Sequence, residues 1–305
     1  MISVFQALAS GLATGAAYAL IALGFSITYT ATKTLNFSQG EFVSVGSFVG
    51  FSALLLLSGG SMTGTAIGAE TAAWMFWPAL IAAVLIMGVL GVLMYLAAIR
   101  PFAGRPGMSW VLTTIGFGVM LQSVALGLWG PAPVSVPAPF GDAVIRIGQV
   151  GIRSQEIVLF GVALCIMAGL DWVMRKTMLG KAMKAVAHDR NTSRLMGINV
   201  NVLMLMAFFV SSALAGLGGF LIAPIASASV FMGMGIALKG FSGAIVGGLS
   251  NPRGSVLGGF ALGLLESMVN LYQAQWREII VFGVVILILT IKPYGLFGTH
   301  KVEKV

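Results

Sequence analysis

A single cysteine, Cys165, two histidines and nine acidic residues in 305 leave little material for several common chemistries. One thiol closes no internal disulfide and builds no thiolate metal site, and inside an apolar run it says nothing of redox compartment. His188 and His300 each stand in a polar stretch without a second histidine or an acid at ligand spacing, so no metal site is expected. No nucleophile, base and orienting acid come together, which leaves covalent catalysis without a candidate. The phosphate-cradling pattern Gly-x4-Gly-Lys-Ser/Thr is also missing, because Gly180-Lys181 is followed by Ala182 and position 175 is Arg175. The chain is therefore expected to be no enzyme and to bind no cofactor, and any ATP is expected on another chain.

Charge is scarce as well. Charged residues make up 9% of the chain against 58% hydrophobic, and the mean hydropathy is +1.00. Such a composition cannot present an ordinary water-facing surface, and it implies an all-α polytopic membrane protein in contact with lipid. The net charge of +8 would suit a nucleic-acid partner. The charges lie in short stretches between apolar runs, however, and retention of basic loops on the cytoplasmic side explains them better, so no nucleic acid is expected.

What is abundant is apolar sequence in long runs. The first extends from Val4 to about Tyr29 and contains Ala17-Tyr18-Ala19, which imitates a signal-peptidase site. No basic residue precedes Lys33 and the run continues past Ala19, so it reads as a transmembrane helix and not a cleaved leader. Further spans are expected at about 40–58, 74–98, 108–129, 155–174, 202–226, 236–250, 254–272 and 278–291. The runs 236–250 and 278–291 fall below the ~20 residues of a straight crossing, so nine spans are expected with eight or ten as alternatives. Thirteen basic residues, namely Lys33, Arg100, Arg105, six within Arg175–Asn201, Arg253, Lys292, Lys301 and Lys304, then share one side. Arg146, Arg153 and Arg277 lie on the other, and Lys239 near a span end. The majority side is cytoplasmic, which puts the N-terminus outside and the C-terminus inside.

Two polar segments stand out. Arg175–Asn201 holds Arg175, Lys176, Lys181, Lys184, Arg190 and Arg194 against one acid, Asp189. Met183, Val186, Ala187 and Arg190 share one helical face and Lys181, Ala182, Ala185 and Asp189 another, which predicts a surface helix from Gly180 to about Arg194 that ends near Gly197. It is either a loop that orients the protein or a docking helix for a soluble partner. The longest outside loop, 130–154, carries Pro131, Pro133, Pro137 and Pro139, so it reads as extended and stiff, with a small hairpin over Val144–Ile152. It would cap the outer mouth or meet a soluble extracytoplasmic protein.

Asn36-Phe37-Ser38-Gln39-Gly40-Glu41 lies between the first two spans. Ser38 and Glu41 have capping-box spacing. Alternatively the segment enters the membrane as an unwound helix start that offers amide and backbone donors to a polar substrate. Glu266 sits well inside an apolar run, where a charge costs ~2.5–3.5 kcal/mol, so a partner, a cavity or protonation is expected. Lys239 is a candidate partner or else snorkels to the interface, and Glu266 serves either in a path or gate or as helix–helix glue. Asp171 and Arg175 have the spacing of a helical ion pair. Gly46-x3-Gly50, Gly243-x3-Gly247, Gly254-x3-Gly258 and Gly259-x3-Gly263 predict close helix packing.

Three runs carry a resemblance: Asn36-Phe37-Ser38-Gln39-Gly40-Glu41-Phe42; Gly180-Lys181-Ala182 through Leu195-Met196-Gly197-Ile198-Asn199; and Ala244-Ile245-Val246-Gly247-Gly248-Leu249-Ser250-Asn251-Pro252-Arg253-Gly254-Ser255-Val256-Leu257-Gly258-Gly259. In order and over nearly the whole chain, they resemble the LivH-type inner-membrane permeases of branched-chain amino acid ABC importers. The resemblance implies one permease domain over 1–305, similar to vitamin B12-type (type II) importers. It implies pairing with a second, LivM-type permease, two ATPases that carry ATP and Mg, and a periplasmic substrate-binding protein facing loop 130–154. It assigns Gly180, Lys181, Ala182, Ala185, His188, Asp189, Arg194 and Gly197 to the helix that couples to the ATPase. Asn36, Phe37, Gln39, Glu41 and Glu266 are its candidate pathway residues. Ser38-Gln39 stands where many relatives carry alanine with histidine or glutamine, and related permeases serve urea, short amides or aromatic carboxylates. A self-sufficient secondary carrier or channel is the competing class, and it leaves the 180–199 segment without a task. A membrane anchor that only recruits a soluble complex is a third, and nine glycine-rich spans exceed what anchoring requires.

Overall fold

The structure, a computed structural model, describes residues 2–59, 73–102, 109–141, 143–147 and 150–298. Arg105, Lys301, Lys304 and His300 lie outside the described residues. Among the described residues eleven α-helices follow one another: α1 (Ile2–Thr32), α2 (Gln39–Leu57), α3 (Phe76–Met94), α4 (Ser109–Trp129), α5 (Ser154–Lys176), α6 (Met178–His188), α7 (Arg190–Leu195), α8 (Val200–Ala226), α9 (Met232–Gly247), α10 (Pro252–Gln273) and α11 (Arg277–Ile291). Helices satisfy every backbone donor and acceptor within one segment, which is what a chain with this little polar surface requires in lipid. Among the described residues the one sheet is a two-stranded hairpin of β1 (Val144–Ile147) and β2 (Val150–Arg153).

Each of the nine expected apolar runs is helical. Among the described residues seven stretches are long and apolar enough to cross a membrane, which makes the chain a polytopic membrane protein. The last of them, Pro252–Ile291, is α10 and α11 joined by a single-turn 3-10 helix, Ala274–Trp276, and α9 has only 16 residues.

The core is built around α1, which is buried almost without a break from Ala13 to Ala31. It packs most extensively on α10, then on α8, α9 and α5. Between α1 and α10 the backbones touch: a Cβ on Gly263 would clash with Gly15, and one on Gly259 with Ala19. Small residues at this seam supply the dispersion contacts that hydrophobicity cannot supply inside lipid. Gly46 meets Gly216 in the same way between α2 and α8.

The bundle has two distinguishable ends. At one, Gln6 Nε2 donates to Gly151 O across 3.2 Å and ties the start of α1 to the hairpin. At the other, Arg190 Nη2 donates to Ala31 O across 3.2 Å and ties the end of α1 to the basic segment. These are the hairpin end and the basic end of the bundle.

Two local expectations are corrected. The helix predicted from Gly180 to about Arg194 is two helices, because Asp189 adopts an extended conformation (φ −150°, ψ 117°) and caps α7, accepting from the Asn191 and Thr192 amides at 2.8 and 3.3 Å. A side chain that satisfies the orphan amides of a new helix start competes with continuation of the old one. The Asp171–Arg175 pair is also replaced. Arg253, at the start of α10, grips Asp171 with Nε and Nη2 at 2.6 and 2.7 Å, a bidentate geometry that a neighbour on the same helix cannot match.

Candidate functional site

The segment between α1 and α2 turns back into the bundle. Gln39 packs against Gly24, eight residues before the end of α1, which is about 12 Å along the helix axis. Its Nε2 donates to Ser211 O and Oγ at 3.1 and 3.2 Å, near the middle of α8. Asn36 Nδ2 donates to Gln39 Oε1 at 3.0 Å, and Asn36 Oδ1 accepts from both the amide and the hydroxyl of Ser38. Asn36, Ser38 and Gln39 are buried and their polar atoms partnered within the chain.

The capping box is not formed. Ser38 makes no side-chain cap to α2, since its hydroxyl is held by Asn36 Oδ1 at 2.6 Å and lies 3.0 Å from Met94 Sδ. The turn is organised by Asn36 instead, whose side chain stands in for a backbone carbonyl. Phe37 is exposed and stacks on Trp110 at 6.3 Å between centroids, and Glu41 is half-buried beside Gly118 of α4. Thus the two amides hold the turn, while Phe37 and Glu41 are the members of the motif with accessible surface.

Glu266 meets Lys239 as expected, and more besides. Lys239 Nζ donates to Glu266 Oε1 at 2.6 Å, and Tyr18 donates its hydroxyl proton to Glu266 Oε2 at 2.7 Å. Arg277 Nε lies 3.4 Å from the same carboxylate, and Lys239 reaches Glu278 at 3.0 Å. Two basic side chains, Lys239 and Arg277, thus stand against two acidic ones, Glu266 and Glu278. The cluster joins α1, α9, α10 and the start of α11, and with Glu266 and Lys239 nearly buried it replaces water with protein donors at a depth where a lone charge is costly. Tyr18, Arg277 and Glu278 were not singled out by sequence: Tyr18 sits in an apolar run, and only the fold brings 18, 239, 266 and 277 together.

The basic segment is an amphipathic surface. Met183 and Val186 of α6 are buried and Gly180 fits against the backbone of Met174, whereas Lys181, Lys184, His188, Asp189 and Arg194 point to solvent and Ala182 and Ala185 are half-buried. Gly197 ends α7 with φ +81°, a left-handed conformation that glycine adopts without strain, as the sequence predicts. Arg190 is half-buried against α1, and desolvation lowers its pKa from the ordinary arginine value. Asp189 is held below the usual carboxylate range, chiefly by the Thr192 hydroxyl and then by the Asn191 and Thr192 amides.

Residues 7–289 match the family described as branched-chain amino acid transport system, permease component. The chain belongs to this permease family. It is similar to the high-affinity branched-chain amino acid transport system permease protein BraD of Pseudomonas aeruginosa, at 29% identity over 98% of this chain and 97% of that one. LivH of Escherichia coli K12, named for the same transport system, is 26% identical over 98% and 97% of the two chains. A probable branched-chain amino acid transport permease LivH from Methanocaldococcus jannaschii is 27% identical over 92% and 88%. The permease is therefore of LivH type and a transport subunit, not an enzyme. Among the described residues no three histidines, cysteines or acids gather as metal ligands in it.

Proposed function

We propose that the permease is one membrane subunit of an ABC importer in the inner membrane, resembling type II importers, and that it carries branched-chain or other hydrophobic amino acids. The observation that carries this is the family match over nearly the whole chain, together with a basic two-helix platform anchored by Arg190 to the central helix. A platform with a buried apolar face and an exposed polar one is suited to dock a soluble partner, and ATP hydrolysis is assigned to two such partners that bind ATP and Mg. A second, LivM-type permease completes the path, and a periplasmic binding protein approaches loop 130–154. The thirteen basic residues support an orientation with the basic end cytoplasmic, and nine crossings put the N-terminus outside.

Within this reading Gly180, Lys181, Ala182, Ala185, His188, Asp189, Arg194 and Gly197 meet the ATPase, and closure of the ATPases moves α6 and α7 against α1 and α5. Phe37 and Glu41 face the inner part of the path, Asn36 and Gln39 hold the turn that presents them, and Glu266 packs the wall. The test is ATP-dependent uptake by the reconstituted complex from a mixture of leucine, urea and a benzoate-like acid. Leucine accumulation is expected, and accumulation of urea or the aromatic acid instead refutes the substrate assignment while leaving the coupling intact. Transport by this chain alone in liposomes would sink the importer reading. Gly197→Pro, which demands φ near −65° where the backbone stands at +81°, is expected to uncouple ATP hydrolysis from uptake with the permease still in the membrane. Ala185→Glu should act likewise, and normal transport by both variants would remove the coupling role.

A further inference from the structure

We propose that a polar cleft between α5 and α10, floored by α1, is the outer mouth of the translocation path, that it takes the free α-amino acid as a zwitterion, and that it ends at a constriction made by Phe160 and Phe260. This rests on the import reading above and assigns it a place and a recognition chemistry.

Three helix faces converge on the cleft. On α1 the polar residues Gln6, Ser10 and Thr14 repeat every four positions, so they form one stripe. On α5, Glu156 and Phe160 are four apart, and on α10, Phe260 and Ser267 are seven apart, so each pair also shares a face. A cavity of about 740 Å³ lies on the α5 side of the stripe, lined by Gln6, Ser10, Arg146, Arg153 and Glu156. A second, of about 320 Å³, lies on the α10 side between Gln6, Ser10, Ser267 and Asn270. Both include Gln6 and Ser10, so the same two polar residues of α1 border the cavity on either side. A surface of amide, hydroxyl and carboxylate groups facing hydrocarbon is unfavourable, and such groups in membrane helices line cavities or paths.

The charges at the mouth have a pattern. In the hairpin, Val144 pairs with Arg153 and Arg146 with Gly151, which puts both guanidinium groups on the same face of the ladder. That face is turned to the cavity. Glu156 lines the same cavity, its Oε1 accepting from the Ser10 hydroxyl at 3.0 Å. An acid in the first turn of a helix is favourable in itself, but that accounts for neither arginine. Two guanidinium groups and one carboxylate around one open cavity match the carboxylate and ammonium of an α-amino acid, with the side chain left over. One helical turn below Ser10 and Glu156, at the level of Thr14 and Gly15, Phe160 and Phe260 meet edge to face with centroids 6.0 Å apart. Rings from the two walls thus close the inner end of a polar cleft, and an apolar side chain is the part of the substrate suited to pass between them.

The experiment uses intact spheroplasts that express the full complex, supplied with the purified periplasmic binding protein, with Cys165→Ser as background and a membrane-impermeant maleimide added outside. Ser10→Cys and Asn270→Cys are expected to react and Thr14→Cys to stay silent until combined with Phe160→Ala or Phe160→Leu. Leucine should protect Ser10→Cys, while isocaproate, which lacks the ammonium, and leucinamide, which lacks the carboxylate, should not. Glu156→Gln, which keeps an acceptor for Ser10, should raise the half-protecting leucine concentration about tenfold or more, the worth of one charged hydrogen bond. Silence of both Ser10→Cys and Asn270→Cys overturns the cleft, labelling of Thr14→Cys without a Phe160 variant overturns the constriction, and equal protection by isocaproate overturns the zwitterion site. Leucine accumulation in the same spheroplasts separates the two levels: accumulation without labelling refutes the cleft alone, whereas no accumulation refutes the import reading beneath it.

Discussion

Replacing Glu266 tests whether the buried ion cluster holds the bundle together. Its carboxylate accepts from Lys239 at 2.6 Å and from Tyr18 at 2.7 Å, with Arg277 at 3.4 Å. Removing one member of a buried pair typically costs 3–5 kcal/mol because the other charge is left uncompensated. Here Lys239 keeps Glu278 at 3.0 Å, whose side chain is half exposed, so the lower end of that range applies, about 3 kcal/mol for Glu266→Leu. Lys239→Met should cost no more than this, because Glu266 keeps Tyr18 and Arg277. In the double variant the orphaned charge disappears with its partner, and a recovery of about 2 kcal/mol relative to the sum of the singles is expected. Thermal midpoints of the purified complex in one detergent, read by loss of the monodisperse peak, should fall by about 5–10 °C for Glu266→Leu, and the double variant should be more stable than additivity allows. Additive losses, or no loss in Glu266→Leu, would refute the coupling. If the cluster is glue, Glu266→Gln should retain uptake per folded complex, and abolished uptake at unchanged stability would make the charge part of the path.

Other expectations follow from single contacts. Gly263→Leu should prevent stable assembly, since even a Cβ there meets the Gly15 backbone, and membrane abundance by immunoblot should fall severalfold, whereas Gly283→Ala, with nothing near its Cβ, should leave it unchanged. Asp189→Ala should fray α7, measured as faster amide exchange at Asn191 and Thr192, because both amides lose their acceptor. The same cap is favoured by ionised Asp189, whose pKa is lowered in the folded state. Its contribution is therefore present above the ordinary carboxylate range and lost as pH falls through the depressed value, and protection of these amides, taken relative to their intrinsic exchange rate, should drop only on acidification below that range. Arg253→Lys should leave the thermal midpoint unchanged within error, since the pair with Asp171 is exposed and screened by solvent, and a clear drop in the midpoint would mean that the bidentate grip matters more than its setting suggests.

Class, helix positions and family were legible in the sequence because they depend on composition and local order. A chain with 9% charge and nine apolar runs has few ways to satisfy its backbone in lipid, and each run is a helix. Gly197 likewise announced a helix end through a conformation only glycine takes freely. Lys239 and Glu266 were a readable pair, because a carboxylate deep in an apolar run demands a cation and few were on offer.

Tertiary structure decided what spacing alone could not. Ser38 and Glu41 had the right interval for a capping box, but Asn36, two residues upstream of Ser38, won the hydroxyl, and the packing of Gln39 against Gly24 and Ser211 drew the turn into the bundle. Asp171 had Arg175 one helical turn away and took Arg253, because a guanidinium approaching from another helix can engage both oxygens at once. Asp189 split a continuous amphipathic pattern by capping, a competition between two local structures whose outcome depends on Arg190 having α1 to dock on. The cluster of residues 18, 239, 266, 277 and 278, and the cleft where the hairpin faces Gln6 and Ser10, exist only where distant helices cross. A one-dimensional pattern reports which residues need partners, and the crossing of helices through glycine seams determines which partners they find.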